Sequence, residues 1–250
     1  MAGAMGRHIM KMLVTRPEPD AQSTLARLTA LGIDAVAAPL MVRQTLDTSL
    51  PPPDGFTAMV LTSANAVRAM TDRGVVDHYR HLPVFAVGDR TAMEANQAGF
   101  ARVSSAAGAF QDLINAMTIA RVPGPIFYPA GKHQSADLAK ALAPLGVMVA
   151  TSMLYEMVAV DTLPEAVLAG LGGDITAVLA YSRRSAAIFA DLANGLERER
   201  RSRVAMLCMS EAVAEPLLGA HFNRISLADW PDEDAMMALA LAFAREQTGP

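Results

Sequence analysis

One strand-to-helix stretch occurs twice in this chain, and the repeat constrains the fold more than any other feature. The first copy, Thr57-Ala-Met-Val-Leu-Thr-Ser-Ala-Asn-Ala-Val-Arg-Ala-Met70, opens with an unbroken apolar run of strand length, Ala58 to Leu61. Thr62, Ser63 and Asn65 then supply N-cap chemistry, and Ala66, Val67 and Met70 recur at helical spacing with Arg68 off the stripe. A buried strand that turns straight into a helix leaves free backbone N–H groups at its carboxyl end, which is where open α/β sheets bind ligands. The second copy, Ile175-Thr-Ala-Val-Leu-Ala-Tyr-Ser-Arg-Arg-Ser-Ala-Ala-Ile188, has Tyr181-Ser182 in place of Thr62-Ser63. The segments after each copy repeat as well: Pro83-Val-Phe-Ala-Val-Gly88 matches Arg203-Val-Ala-Met-Leu-Cys208, and Ala101-Arg-Val-Ser104 matches Asn223-Arg-Ile-Ser226. The offset is about 120 residues throughout, too long for a solenoid unit and suited to a duplicated half-protein.

The remaining elements fit the same scheme. Lys11 to Thr15 is a strand ended by Arg16-Pro17, a helix carries Leu25, Leu28 and Leu31 and closes at Gly32, and Ile33 to Ala38 is the next strand. The tract from Pro39 to Pro53, ending in three prolines, continues neither element and reads as a crossing to a second body. There the predicted elements are strand Val84 to Val87, a helix to Ala98, strand Ala101 to Val103, a helix near Phe110 to Ala120, strand Pro125 to Pro129, a helix from Ser135 to Leu145 and strand Val147 to Ala150. Gln22 to Gly32 resembles Gln134 to Gly146, so the units run a, b, a′, b′, and short strands alternating with amphipathic helices mean parallel sheets. The order permits a tandem arrangement, broken near Val122-Pro123-Gly124, or an interlaced one that keeps b and a′ together. In the interlaced form Tyr155 to Val160 pairs with Leu40 to Thr45 as a two-strand bridge; the pattern leans to this form without deciding it. A helix from Pro164 to Leu171 comes next, the charged run Glu197 to Arg203 reads as a solvated helix face or loop, and an acidic turn at Pro231-Asp-Glu-Asp234 opens the terminal helix.

Composition excludes several classes of function. With 52% hydrophobic and 18% charged residues the chain is globular, and its apolar runs stop short of a membrane span. A net charge of −4 and the lack of a basic stripe argue against nucleic acid. Met1 to Met10 has neither a long apolar core nor a cleavage pattern; it reads as a cloning scar or loose extension, and the cytoplasm is the expected compartment. The lone Cys208 sits in an apolar strand, and no histidines stand in a zinc-ligand spacing, so no metal is expected. Walker, dinucleotide, nucleophile-elbow and paired-cysteine signatures are all absent.

There remains a set of strand ends bearing small polar residues: Thr15-Arg16, Thr62-Ser63, Gly88 with Thr91, Gly131-Lys132, Ser182 and Ser210. A Ser or Thr before a helix is usually only a cap. Six such ends in two lobes facing each other are better explained by a shared ligand in the cleft, and the N–H groups with a few cations suit one with several carboxylates or phosphates.

These places, in this order, resemble the uroporphyrinogen-III synthase family: Val14-Thr15-Arg16-Pro17, Leu61 to Val67, Phe85-Ala-Val-Gly88 with Thr91, Phe127-Tyr-Pro-Ala-Gly131 and Val178-Leu-Ala-Tyr-Ser182, within a resemblance spanning Lys11 to Ala244. The resemblance implies an α/β fold of two flavodoxin-like (Rossmann-type) parallel-sheet domains joined by a two-stranded linker. The first domain is then discontinuous, residues 11–39 plus 161–250; the second is 47–152, and 40–46 and 153–160 are the linker strands. It also implies a cofactor-independent hydro-lyase, a monomer, that takes linear hydroxymethylbilane, removes its terminal hydroxyl as water and inverts the last pyrrole ring through a spiro intermediate. Neither nucleic acid nor membrane is a partner.

In that setting the substrate carboxylates meet backbone N–H groups at the turns after Thr62, Gly88, Gly131, Ser182 and Ser210, helped by Arg16 and Lys132, with Thr15, Ser63 and Thr91 at the same strand ends. The family's candidate proton donor corresponds to Tyr155. The chain departs from the family at Ser210-Glu-Ala-Val213, where members often carry Gly with nearby Thr, and Arg183-Arg184 compensates or simply lies at the surface. Two rival readings stay open: a hinged two-lobe binding module for an anionic ligand, and a sugar-nucleotide transferase.

Overall fold

The computed structural model describes residues 10–106, 108–134 and 136–248. Residues 1–9 of the expected scar and Ser135, the expected first residue of a helix, lie outside the described residues. The described residues form strands β1 (Lys11–Val14), β2 (Asp34–Ala37), β3 (Met41–Thr45), β4 (Ala58–Leu61), β5 (Val84–Ala86), β6 (Val103–Ser105), β7 (Ile126–Gly131), β8 (Val149–Ala159), β9 (Ile175–Ala180), β10 (Ala205–Cys208) and β11 (Arg224–Leu227), with helices between most of them. The chain divides into two compact units, one comprising residues 1–42 and 159–250 and the other 43–158.

In the first unit the sheet order is β11-β10-β9-β1-β2, and every pair is parallel. Period-2 alternation explains how these strands are buried on both faces. Leu13, Val178, Met206 and Cys208 point into one core with Phe189 and Phe222. Met12, Val14, Ala177, Leu179 and Leu207 point into the other, under Leu28 and the terminal-helix residues Met236, Met237 and Phe243. Strand β11 at the sheet edge, Arg-Ile-Ser-Leu, is largely exposed. Cys208 is fully buried, and burial pushes its thiol up to about 12.

The second sheet has the order β3-β8-β7-β4-β5-β6. The pairs β8-β7, β7-β4, β4-β5 and β5-β6 are parallel. Met59, Leu61 and Phe127 face one core, whereas Ala58, Val60, Ile126 and Tyr128 face the other. Strand β3 lies beside β8 at the edge. If β7-β8 is set against β1-β2, and β4-β5-β6 against β9-β10-β11, the two sheets have the same spatial order. Each sheet thus takes one part from each half of the repeat, and its switch point lies between β1 and β9 or between β7 and β4.

Local chemistry moved several expected boundaries. Val147–Ala150 and Tyr155–Val160 were predicted as separate extended pieces, but they belong to one 11-residue strand, β8, because the polar Thr151-Ser152 continues the pairing with Tyr128 and Pro129 of β7. Strand β7 runs on to Gly131, and β6 begins at Val103 rather than Ala101. The predicted helix to Leu145 is a helix only over Leu138–Leu142, capped by Asp137, whose Oδ1 accepts the Lys140 N–H at 2.9 Å. It then tightens into a 3-10 turn, Ala143–Leu145, at Pro144. Nor is the charged run after Glu197 simply solvated. Arg200 donates to the carbonyls of Leu168, Ala169 and Leu171, and Arg201 to those of Ala193, Asn194, Leu196 and Ala220, so both guanidinium groups cap backbone that the helices leave unpaired.

Candidate functional site

In the second unit, the carboxyl ends of β4 and β7 border a cavity of about 340 Å³ whose lining includes Thr62, Ser63, Tyr128, Gly131, His133 and Tyr155. It therefore lies at the switch point of that sheet. The turn after β4 is built as its sequence requires: Ser63 is the N-cap of the helix Ala64–Asp72, and its Oγ accepts the Asn65 N–H at 3.2 Å. The Thr62 hydroxyl instead shares a 2.8 Å hydrogen bond with the Tyr128 hydroxyl. Gly131 admits the Tyr155 ring, since a Cβ at that position would lie 2.7 Å from the ring carbon Cζ.

The two phenols share an environment. Burial raises the Tyr155 hydroxyl above the ordinary tyrosine range, with its hydrogen bond to Ser63 and the charge of Arg43 pulling it part of the way back. Burial likewise raises Tyr128, Thr62 opposes the rise, and Tyr155 adds to it. Both phenols are thus held in the neutral, protonated form.

The other residues expected at strand ends in this unit stand differently. Gly88 is the N-cap of the helix Asp89–Gln97 and packs against the backbone of Gly108, where a Cβ would come within 3.1 Å of the Gly108 Cα. Thr91 is buried in the first turn of that helix. Lys132 directs its Nζ at both oxygens of Glu156, at 3.0 and 2.9 Å, so its charge is already met.

In the first unit the equivalent switch point is filled by side chains. Thr15 is buried and its hydroxyl donates to the Leu179 carbonyl at 2.8 Å, tying β1 to β9. The Arg16 guanidinium stacks over the Tyr181 ring and bonds to Glu233 and Thr24, and the hydroxyls of Tyr181 and Thr24 donate to the same Glu233 carboxylate. Arg16, expected to face a ligand, is thereby engaged by an acid from the terminal helix. Ser182 caps the helix Arg183–Leu192 by accepting the Ser185 N–H at 3.1 Å. Ser210 stands at the N-cap of Glu211–Gly219 without a side-chain cap bond, and Glu211 beside it is exposed. Arg183 pairs with Glu215.

Sequence reasoning passed over Tyr128 and His133, which line the cavity with Tyr155. The nearest signal was the Phe127-Tyr-Pro-Ala-Gly131 motif itself, in which Tyr128 reads as one more buried strand residue. Among the described residues no group of three or more His, Cys, Asp or Glu side chains could hold a metal ion, and no helix is long and apolar enough to cross a membrane.

Two parallel α/β units, one with a hydroxyl-lined cavity at its switch point, define a protein that handles a small molecule at strand carboxyl ends. The family model for uroporphyrinogen-III synthase HemD matches residues 22–238, so the chain belongs to the uroporphyrinogen-III synthase family and is an enzyme of tetrapyrrole biosynthesis. Among solved structures, uroporphyrinogen-III synthetase from Helicobacter pylori 26695 is similar to it with a TM-score of 0.67 at 17% identity, covering 94% of this chain and 99% of that one. A mutant uroporphyrinogen III synthase from the extremely thermophilic bacterium Thermus thermophilus has a TM-score of 0.54 at 16% identity, covering 96% of this chain and all (100%) of that one. These two matches bear on the fold, a mixed α/β arrangement with parallel sheets. No curated protein matches the chain.

Proposed function

We propose that the chain converts hydroxymethylbilane to uroporphyrinogen III at the cavity beside β4 and β7, without a cofactor and as a cytoplasmic monomer that engages neither nucleic acid nor membrane. In this reading the fold is a pair of flavodoxin-like domains, residues 11–39 plus 161–250 and residues 47–152. Residues 40–46 and 153–160 are the two linker strands. The strand order β2-β1-β9-β10-β11, with its counterpart in the second sheet, supports the flavodoxin-like assignment. Two hydrogen bonds support the antiparallel linker: Leu46 N–H to the Leu154 carbonyl at 2.8 Å and Val160 N–H to the Leu40 carbonyl at 3.0 Å.

One observation carries the proposal: the hydroxyls of Thr62, Ser63 and Tyr155 meet in a cavity whose described lining contains no carboxylate. Its volume is at the small end of the roughly 300–1,000 Å³ of ligand sites, suited to one ring of the substrate rather than the whole linear chain. Tyr155 supplies a hydrogen bond or proton to the departing hydroxyl. Backbone N–H groups after Thr62, Gly88, Gly131, Ser182 and Ser210 take up carboxylates of the remaining rings, with Thr15 and Thr91 shaping those ends. Arg16 and Lys132 contribute once the substrate competes with Glu233 and Glu156.

Freshly prepared hydroxymethylbilane, incubated with the protein, oxidised and separated by porphyrin isomer, tests the proposal. An excess of isomer III is expected. Isomer I alone, the product of spontaneous closure, is the outcome for a hinged binding module and overturns the synthase reading.

A further inference from the structure

Tyr128 is the cavity's second phenol. It is 4% exposed, projects from the centre of β7, and shares its hydroxyl hydrogen bond with Thr62. Tyr155, from the adjacent β8, lines the same cavity with Ser63. Two successive hydroxyl-bearing residues of one turn therefore border the cavity with the two phenols, and Thr62 holds one of them. The described lining has no lysine, arginine or carboxylate, and His133 is its one histidine. Such a pocket offers hydroxyls rather than charged side chains, which suits the uncharged, hydroxyl-bearing end of a pyrrole chain.

Resting on the reaction proposed above, we propose that Tyr128 is a second donor to the departing hydroxyl, directed by Thr62 and acting alongside Tyr155. In this step the carbon–oxygen bond of the hydroxymethyl group breaks with its electron pair going to oxygen. A phenol proton joins that oxygen, water leaves, and the pyrrole nitrogen lone pair fills the deficit at carbon to give an azafulvenium cation. The phenolate regains its proton when the last ring loses its α-hydrogen at closure. Thr62 is a positioning residue: it acts through Tyr128.

Steady-state kinetics with hydroxymethylbilane, read together with the ratio of isomer III to isomer I, test this in Y128F, Y155F, the double variant and T62V. The isomer ratio is an internal clock, because slow enzymatic closure loses substrate to the spontaneous route. Y128F is expected to lower kcat about tenfold with KM changed less than about twofold, the signature of an interaction made in the transition state. Y128F/Y155F is expected to lose about a further tenfold relative to either single variant, and Y128F/T62V to be no slower than Y128F, because the Thr62 hydroxyl, bonded to Tyr128, acts through that phenol. More than half of wild-type kcat in Y128F, or a loss carried by KM alone, overturns the proposal. Should Y128F fold poorly, 3-fluorotyrosine at position 128 keeps the ring and lowers the phenol pKa; the alkaline limb of kcat then moves to lower pH, and an unmoved limb overturns the assignment. Wild-type protein yielding isomer I alone would instead remove the parent reading, a result distinct from any of these.

Discussion

The Arg16 guanidinium carbon lies 4.2 Å from the centroid of the Tyr181 ring, and both side chains bond the carboxylate of Glu233. Arg16 comes from the end of β1, Tyr181 from the end of β9 and Glu233 from the first turn of the terminal helix, so the cluster pins that helix over the switch point of its own sheet. The Arg16 side chain is only 14% exposed, which leaves little water to take the acid's place. Glu233→Ala is therefore expected to lower stability by about 1–2 kcal/mol, more than an exposed pair contributes. Urea unfolding checks this; a midpoint equal to wild type would mean that Asp20, 3.8 Å from Arg16, takes over the charge.

All four tyrosines, Tyr79, Tyr128, Tyr155 and Tyr181, are raised above the usual tyrosine range, with burial as the largest cause in each and the Glu233 carboxylate adding at Tyr181. The folded chain thus holds phenol protons that the unfolded chain releases near pH 10. Their contribution to stability is complete below that pH and is lost as the pH rises through the folded values. Absorbance at 295 nm should show little tyrosinate in native protein at pH 10 and about half ionisation in guanidinium chloride. Tyr181→Phe should soften the fall in unfolding midpoint above pH 10.

Gly131 is not in the left-handed region, so its role is steric. Gly131→Ala would put a methyl group 2.7–2.9 Å from Cζ, Cε2 and the hydroxyl of Tyr155, and the ring must shift. Overpacking of this kind costs about 1–3 kcal/mol. Isomer III formation should fall more than about tenfold, because a displacement near 1 Å is enough to spoil a reacting geometry. Near-wild-type turnover would show that Tyr155 need not sit against this turn.

Ser182 and Ser210 occupy equivalent N-caps, yet only Ser182 accepts a bond from its helix. Ser182→Ala should cost about 1 kcal/mol and Ser210→Ala nearly nothing in thermal unfolding. Equal losses would contradict the difference in capping.

The repeat was legible because burial on both faces of β4, β10 and the Ala177 to Ala180 part of β9 demands apolar runs, and those survive in both copies. Thr62, Ser63 and Gly131 could be named in advance because each stands at or next to a strand end, and Tyr155, inside β8, only through the resemblance to the family. Tyr128 could not. It alternates within a buried strand, and its partner Thr62 is 66 positions away, beyond any local pattern. The charge balance of the site was hidden for the same reason: Lys132 finds Glu156 at a separation of 24 residues and Arg16 finds Glu233 at 217. A cation at a strand end announces itself in sequence; the acid that occupies it does not. The extent of β8 was obscured by Thr151 and Ser152, whose polarity resembles a break although their backbone pairs without interruption.

Strand β1 pairs with β9 from Lys11 against Ile175, a separation of 164 residues (175 − 11), and most of the intervening chain, residues 43–158, forms the other unit. During synthesis that unit is completed before β9 exists. Once compact, it replaces a long floppy excursion by a body whose entry and exit are paired through β3 and β8. The entropic cost of bringing β1 to β9 then reflects a short tether rather than the whole intervening length. Assembly order is thereby written into connectivity: the inserted body acts as a splint on which the halves of its host are set.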